Sequence, residues 1–355
     1  MTGRKQLSES IADALRGELE SGRYRAGKAL PSVAELRNRF GAGEFAVRAA
    51  LHKLRDEGLV AVKSHVGAVA TVKGRNAWKG HLLFVHTNSN ASYFVQRLAI
   101  QLSQRFEAAG WCLHMVFIDA DKDGCLDVDR IVRHVANGVS FAIVLSEFRQ
   151  VSAIFDLADV PYVILNGFAK DFPNARAVIR DDYKKCFLEL IGALKNRNLV
   201  RVLEFDMERR MDRGFKNLMF DNGIKVSRVM CRFDNESQNS LAAVKLCGYN
   251  AVRAYFADER HRNRLPDVIL FDDDYLAAGG IAALLEAGVK IPKDVRIVAY
   301  SNKGNELVIG KSPARIEHDP VATGNAVAKY VLNTLLGHHS TPPRIEWHFV
   351  LGESF

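Results

Sequence analysis

Cysteine is scarce in this chain: Cys112, Cys125, Cys186, Cys231 and Cys247 are the five among 355 residues. The number is odd, no pair is spaced CxxC, and no cysteine and histidine cluster has zinc-finger spacing. Reduced thiols are therefore expected, with neither a disulfide framework, a structural zinc centre nor a cofactor. Long apolar runs are missing too, and none approaches the roughly 18 residues of a membrane helix. The start, residues 1–20, mixes charges with apolar residues at helical spacing. It lacks the apolar centre of a secretory signal, so a cytoplasmic protein with no membrane partner is expected. Neither HExxH nor GxSxG occurs, and the eleven histidines are scattered. A metal-dependent hydrolase built on Asp272, Asp273 and Asp274 is accordingly disfavoured, and no enzymatic activity is expected. A solute-binding protein without regulation is the other alternative. With 48% hydrophobic and 25% charged residues, the composition is that of a globular protein, and this length predicts two or three domains.

Charge is present but uneven. Residues 1–75 carry 14 Lys and Arg against 8 Asp and Glu, a net of +6 out of the chain's +8. A basic module on a near-neutral body predicts a polyanionic partner; a merely solvated basic surface is the plainer alternative.

Within that module, Leu7, Ile11, Ala14, Leu15 and Leu19 mark one helical face that Gly22 ends. Ser32 with Glu35 forms a capping box for a second helix, with Val33, Leu36 and Phe40 as its apolar stripe and Gly41 as its stop. Val47, Ala50, Leu51 and Leu54 give a third helix its buried face. Glu44, Phe45, Arg48, His52 and Arg55 then face outward. Two short strands follow, Leu59–Val62 and Ala68–Val72, joined by the basic tip Lys63-Ser64-His65-Val66-Gly67. For His65, a solvated turn residue and a DNA contact are both open.

Residues 7–72 resemble the winged helix-turn-helix of GntR-type transcriptional regulators. The matching positions include Leu30-Pro31-Ser32, Glu35-Leu36, Phe40-Gly41, Val47-Arg48, Ala50-Leu51 and Gly58-Leu59-Val60. Departures are Ala34 and Glu44 where the family often has arginine, and Gly43 where it usually has serine. The resemblance implies double-stranded operator DNA as partner. It places Ser32, Glu44, Phe45, Arg48, His52, Lys63 and His65 in the DNA-contacting set, and a homodimer is needed to span two half-sites.

Residues 73–79 read as a polar linker. From residue 80 on, apolar strands alternate with amphipathic helices, which predicts parallel sheets covered on both faces and arranged in two lobes. Ligands in such sheets bind beyond the carboxyl ends of the strands. Those ends carry Thr87-Asn88-Ser89-Asn90, Tyr93, Phe94, Glu147, Asn166, Asp181-Asp182, Asp272-Asp273-Asp274 and Ser301-Asn302. Carboxylates, amides and aromatics together suit a sugar or polyol. Tyr93 and Phe94 also read as core, Asp181 and Asp182 as helix caps, and Asp272–Asp274 as a cluster favoured by a helix dipole.

Residues 80–355 resemble the effector domain of LacI-type repressors, itself similar to periplasmic sugar-binding proteins. The resemblance rests on residues 265–274, Ala277-Ala278-Gly279, residues 287–295 and Val298-Ala299-Tyr300. It implies a fold of two-lobed, doubly wound α/β sheets behind an N-terminal winged helix-turn-helix, the fusion found in arabinose-repressor-type regulators. It also implies a small-molecule effector, a monosaccharide or related polyol. Tyr93, Phe94, Glu147, Asp181, Arg210, Asp273, Asp274 and Ser301 are its expected binding residues, and a repressor is the expected function. Met211 stands where the family often has arginine, which leaves Arg209 or Arg210, and Ser301 replaces the usual aspartate.

Overall fold

The computed structural model describes all residues except 1, 64–66, 72–77, 87–91, 120–124, 146–148, 208–212, 232–239, 263 and 308–309. The chain divides into two compact units, residues 1–79 and 80–355.

The first unit runs α1 (Thr2–Ser21), α2 (Val33–Phe40), α3 (Glu44–Asp56), β1 (Val60–Lys63) and β2 (Gly67–Ala70). Its core collects Ile11, Ala12, Leu15 and Leu19 with Leu36, Val47, Ala50, Leu51 and Leu54. Two positions of the expected α1 stripe fall outside it: Ala14 is exposed and Leu7 is 39% exposed. Each four-residue step turns the helix by 40° beyond a full revolution. The stripe through 11, 15 and 19 therefore rotates toward Ala12 and away from 7 and 14. The capping box at α2 is complete, since Ser32 Oγ accepts from the Glu35 amide and the Glu35 carboxylate accepts from the Ser32 amide. Gly41 closes the helix in the left-handed conformation, φ 59°. β1 and β2 pair antiparallel, Val60 opposite Ala70 and Lys63 opposite Gly67. The two strands complete the wing.

The second unit opens with β3 (His81–His86), α4 (Tyr93–Ala108), β4 (Cys112–Phe117), α5 (Asp129–Ala136), β5 (Val139–Leu145), α6 (Arg149–Leu157), β6 (Tyr162–Leu165) and β7 (Ala177–Ile179). These five strands form one parallel sheet, β4-β3-β5-β6-β7. β8 (Asp181–Asp182) and α7 (Lys184–Lys195) lead to β9 (Arg201–Asp206), α8 (Arg213–Asp221), β10 (Lys225–Met230), α9 (Leu241–Ala257) and α10 (Glu259–Arg262). β11 (Val268–Phe271), α11 (Asp274–Glu286), β12 (Arg296–Asn302), β13 (Ala314–His318), α12 (Pro320–Leu335), β14 (Ile345–Glu346) and β15 (His348–Val350) complete the chain. The second sheet is β10-β9-β11-β12-β13, parallel, with β15 antiparallel at its edge.

Both sheets are buried on both faces. Leu82 and Phe84 pack toward α4 and α12, while Leu83 and Val85 pack toward α5 and α6. Non-alternating apolar strands need helices on each side, and β9, β11 and β12 repeat the pattern. Helix α12 follows β13 of the second sheet but packs its Val327, Ala328 and Val331 into the first lobe's core. The short strands β7, β8, β13, β14 and β15 are not announced by long apolar runs in the sequence. Among the described residues no helix is long and apolar enough to cross a membrane.

Candidate functional site

Helix α3 presents a solvent-facing surface. Glu44, Phe45, Arg48 and His52 are all exposed, Phe45 by 81%. An aromatic that open takes no part in the core, whereas Ala46, Val47 and Ala50 beside it are buried. The Arg48 guanidinium donates to the Glu44 carboxylate through Nε at 2.9 Å. Ser32 is exposed and engaged with Glu35. Other basic groups of this unit are tied into the fold: Arg16 reaches Glu57, and Arg23 and Arg39 both reach Glu18. The Lys63 side chain and His65 lie outside the described residues.

In the second unit, side chains from both lobes converge beyond the carboxyl ends of the strands. Ser92 caps α4 and sets Tyr93 at its first position. The Tyr93 amide donates to the Tyr275 hydroxyl at 3.2 Å, and the Tyr93 hydroxyl donates to the Lys303 carbonyl at 3.3 Å. Asp273 accepts from the Tyr275 and Leu276 amides and caps α11. Asp274 is buried, and its Oδ2 accepts from the side-chain amide of Asn305 at 2.8 Å. Burial, then the neighbouring Asp273 charge, pushes the Asp274 carboxyl up to about 6. A carboxyl poised there can accept from a ligand hydroxyl when ionised and donate when protonated.

A second cluster adjoins the first. Phe94 meets the His318 ring edge-on at 5.1 Å, and the Trp347 ring lies 4.9 Å from His318, tilted by 35°. His318 bonds Thr323 at 2.7 Å, and burial pushes its pKa down to about 4, so it is neutral at pH 7. Burial holds the Asp181 carboxyl above its ordinary value, opposed by the Trp347 indole and by the Tyr183 hydroxyl at 3.2 Å. Phe94, Asn166, Asp181, His318 and Thr323 line a cavity of about 10 Å³. That is room for about one water.

Deeper in the second lobe, Arg228 reaches Glu204 at 2.8 Å and Asp206 at 3.0 Å. Both carboxylates are buried. Asp272 accepts from the Met207 amide at 3.0 Å. Ser301 is buried near the end of β12, and its hydroxyl has no hydrogen-bond partner among the described residues.

Residues 7–69 match the model described as bacterial regulatory proteins, gntR family, and residues 197–355 match the periplasmic binding protein-like domain. The chain joins a GntR-like DNA-binding domain to a periplasmic-binding-protein-like domain with the LacI-type fold. Among curated proteins it is similar to the HTH-type transcriptional repressors PurR of Yersinia pestis and Escherichia fergusonii. Identity is 25% over 101 residues, which is 28% of this chain and 28% of each relative's length. Among solved structures it is similar to the lac repressor dimer bound to operator and the anti-inducer ONPF, with TM-score 0.62 and 15% identity over 78% of this chain and 95% of that one. It is also similar to a LacI family regulator from Arthrobacter sp. FB24 in complex with lactose, with TM-score 0.61 and 17% identity over 78% of this chain and 98% of that one. At these identities the structural likeness is one of fold.

The expected site residues divide accordingly. In the GntR-type domain, Glu44, Phe45, Arg48 and His52 share one exposed helix. In the LacI-type domain, Tyr93 and Asp274 meet through Tyr275, and Phe94 and Asp181 line a common cavity. Asp273 occupies a capping position, as the helix-dipole reading had it. Glu147, Arg209, Arg210, Met211 and Thr87–Asn90 lie outside the described residues. The sequence reading missed Tyr275, Asn305, His318, Trp347 and Arg228. Asn305 sits in a turn with no motif, and the strand β13 that ends at His318 had escaped notice. Tyr275 had a signal: it directly follows the acidic trio.

Proposed function

We propose that this chain is a ligand-responsive, sequence-specific DNA-binding transcriptional regulator of the repressor type. It acts as a cytoplasmic homodimer on double-stranded operator DNA. Its effector is a small polyhydroxylated molecule, a monosaccharide or related polyol, held in the cleft between the lobes of the LacI-type domain. In this reading α3 enters the major groove, Arg48 and Phe45 meet the bases, and the wing meets phosphates.

The observation that carries the reading is the cleft bridge. Tyr93 of one lobe, Tyr275 of the other and the buried carboxyl of Asp274 lie in one hydrogen-bonded cluster. Small-molecule pockets hold roughly 300 Å³ or more, far above the cavity of about 10 Å³ at the adjoining corner. In this reading the lobes close around the effector, and that motion is the signal passed on. Asp274 accepts from vicinal hydroxyls, Asn302 and Asn305 orient it, and the Tyr93 and Phe94 rings cover the apolar face of the sugar.

The test is a melting-temperature screen of the full chain against monosaccharides, polyols and nucleobases, followed by gel shifts on sites selected from random DNA. A ligand at 100 times its dissociation constant adds roughly 2.7 kcal/mol. A sugar that raises the melting temperature and alters DNA affinity supports the proposal. A response confined to nucleobases would replace the effector class, and no selected DNA site would end the regulatory reading.

A further inference from the structure

The end of the first sheet opposite the cleft gathers a second set of polar side chains. His81 starts β3, and Cys112 starts the neighbouring edge strand β4, with His81 opposite Cys112 in the register and Leu83 opposite His114. Alternation along the strands puts His81, Cys112 and His114 on the face that carries Leu83, Val85 and Val116, the face covered by α5. The three are half-buried, and the cysteine is free. His81 Nδ1 lies 2.9 Å from His114 Nε2, and Cys112 Sγ lies 3.7 Å from the same nitrogen. All three donor atoms fall within 4.8 Å of one another. His134 on α5 adds a further imidazole, its ring 5.0 Å from that of His114.

These separations can be compared with those around a single ion. Metal–nitrogen bonds of about 2.0–2.1 Å and a metal–sulfur bond of about 2.3 Å, at tetrahedral angles, put nitrogen and sulfur about 3.6 Å apart and two nitrogens about 3.3 Å apart. The Cys112–His114 distance already fits, the two imidazoles need part by only a few tenths of an ångström, and the His81–Cys112 pair, within 4.8 Å, closes toward about 3.6 Å around an ion. A plain imidazole–imidazole hydrogen bond accounts for His81 and His114. It does not account for a thiol gathered at the same His114 nitrogen on an otherwise apolar sheet face.

We propose that His81, Cys112 and His114 form a binding site for a thiophilic divalent cation of the zinc class. Thiolate with imidazole selects such ions over calcium or magnesium, which take oxygen ligands. Water or His134 completes the coordination. The site stands at the amino ends of the strands, one residue beyond Gly80, and uses none of the cleft residues. It is independent of the proposed effector and can fail without it.

The experiment uses the full-length chain, freed of any histidine tag and stripped with a chelator, titrated with Co²⁺ and followed by absorption. Expected are a thiolate-to-cobalt charge-transfer band and intense four-coordinate d–d bands, saturating at one equivalent per chain and bleached by Zn²⁺. Cys112→Ser abolishes the charge-transfer band, while Cys125→Ser, at an exposed cysteine, keeps it. Should Cys112→Ser melt early, His81→Gln serves instead and weakens Co²⁺ binding at least tenfold. No charge-transfer band, a band that survives Cys112→Ser, or an occupancy far below one per chain would overturn the site.

Discussion

The guanidinium of Arg48 lies 2.8 Å from the carboxylate of Glu44, one turn earlier on the exposed face of α3. Glutamate four residues before a basic partner is the favourable order on a helix, but an exposed pair of this kind contributes only about 0.3–0.5 kcal/mol. DNA can therefore take Arg48 from it. Arg48→Ala is expected to lose roughly 1–3 kcal/mol of binding to selected sites, the worth of a bidentate base contact. Glu44→Ala frees Arg48 and removes a charge that repels phosphate. It should bind unselected DNA as well or better, and discriminate less at one base pair. Gel-shift titrations at fixed salt decide both; an Arg48→Ala protein with unchanged affinity refutes the assignment.

The cleft bridge makes its own prediction. Tyr275→Phe removes the acceptor of the Tyr93 amide while keeping the ring. Hydrogen exchange at the start of α4 should speed up without a change elsewhere in that helix. Gly304→Ala should act the same way: a Cβ there would stand 2.4 Å from the Tyr93 hydroxyl, on a backbone with φ +87°. Exchange as slow as in the unaltered protein for both variants would show that the bridge does not hold the lobes together.

Two buried groups of the cleft pull stability in opposite directions with pH. The Asp274 carboxyl titrates at about 6 in the fold, against about 3.9 unfolded. Its folded value is raised, so its contribution is fully present below about pH 4 and is lost as pH rises through 6. His318 titrates at about 4, against about 6.5 unfolded. Its folded value is depressed, so its contribution is present above about pH 6.5 and is lost as pH falls toward 4. Asp274→Asn removes the first effect only. By calorimetry the variant should match the unaltered protein near pH 4, melt higher at pH 7, and lose stability more steeply on acidification. A melting difference independent of pH would contradict the environment assigned to Asp274.

Both domain types were legible in the sequence because local signals agreed with the fold. Ser32 with Glu35 announced α2, and Leu270-Phe271 running into the acidic trio announced a strand end and helix start. What stayed hidden was contact between distant segments. Asn305 reaches Asp274 across 31 residues, and Phe94 meets His318 only because β3 and β13 end at the same cleft. The histidine–cysteine cluster was invisible for the same reason: His81 and His114 stand 33 positions apart, and only strand pairing joins them. Zinc-finger spacing is local in sequence and does not describe such a cluster. β13 and β15 were lost because half-buried or charged residues break their apolar runs, as in Arg315, Glu317 and His348.

The last prediction concerns coupling between the two domains. The basic excess lies within residues 1–75, so phosphate contacts should come almost wholly from there, and log affinity should fall linearly with log salt. If the LacI-type domain sets the spacing of paired GntR-type domains, an effector that weakens DNA binding must itself be weakened by DNA by the same factor. That reciprocity is thermodynamic, and typically amounts to roughly 1–3 kcal/mol. It requires the covalent link through residues 73–79, most of which lie outside the described residues. Residues 80–355 hold their own cores, so cutting the link should leave a fragment that binds effector and ignores DNA. Calorimetry of effector binding to the intact protein, with and without a selected site, measures the coupling directly, with the fragment beside it as the uncoupled reference. Equal effector affinity in the intact protein with and without DNA would leave two domains sharing a chain and no switch between them.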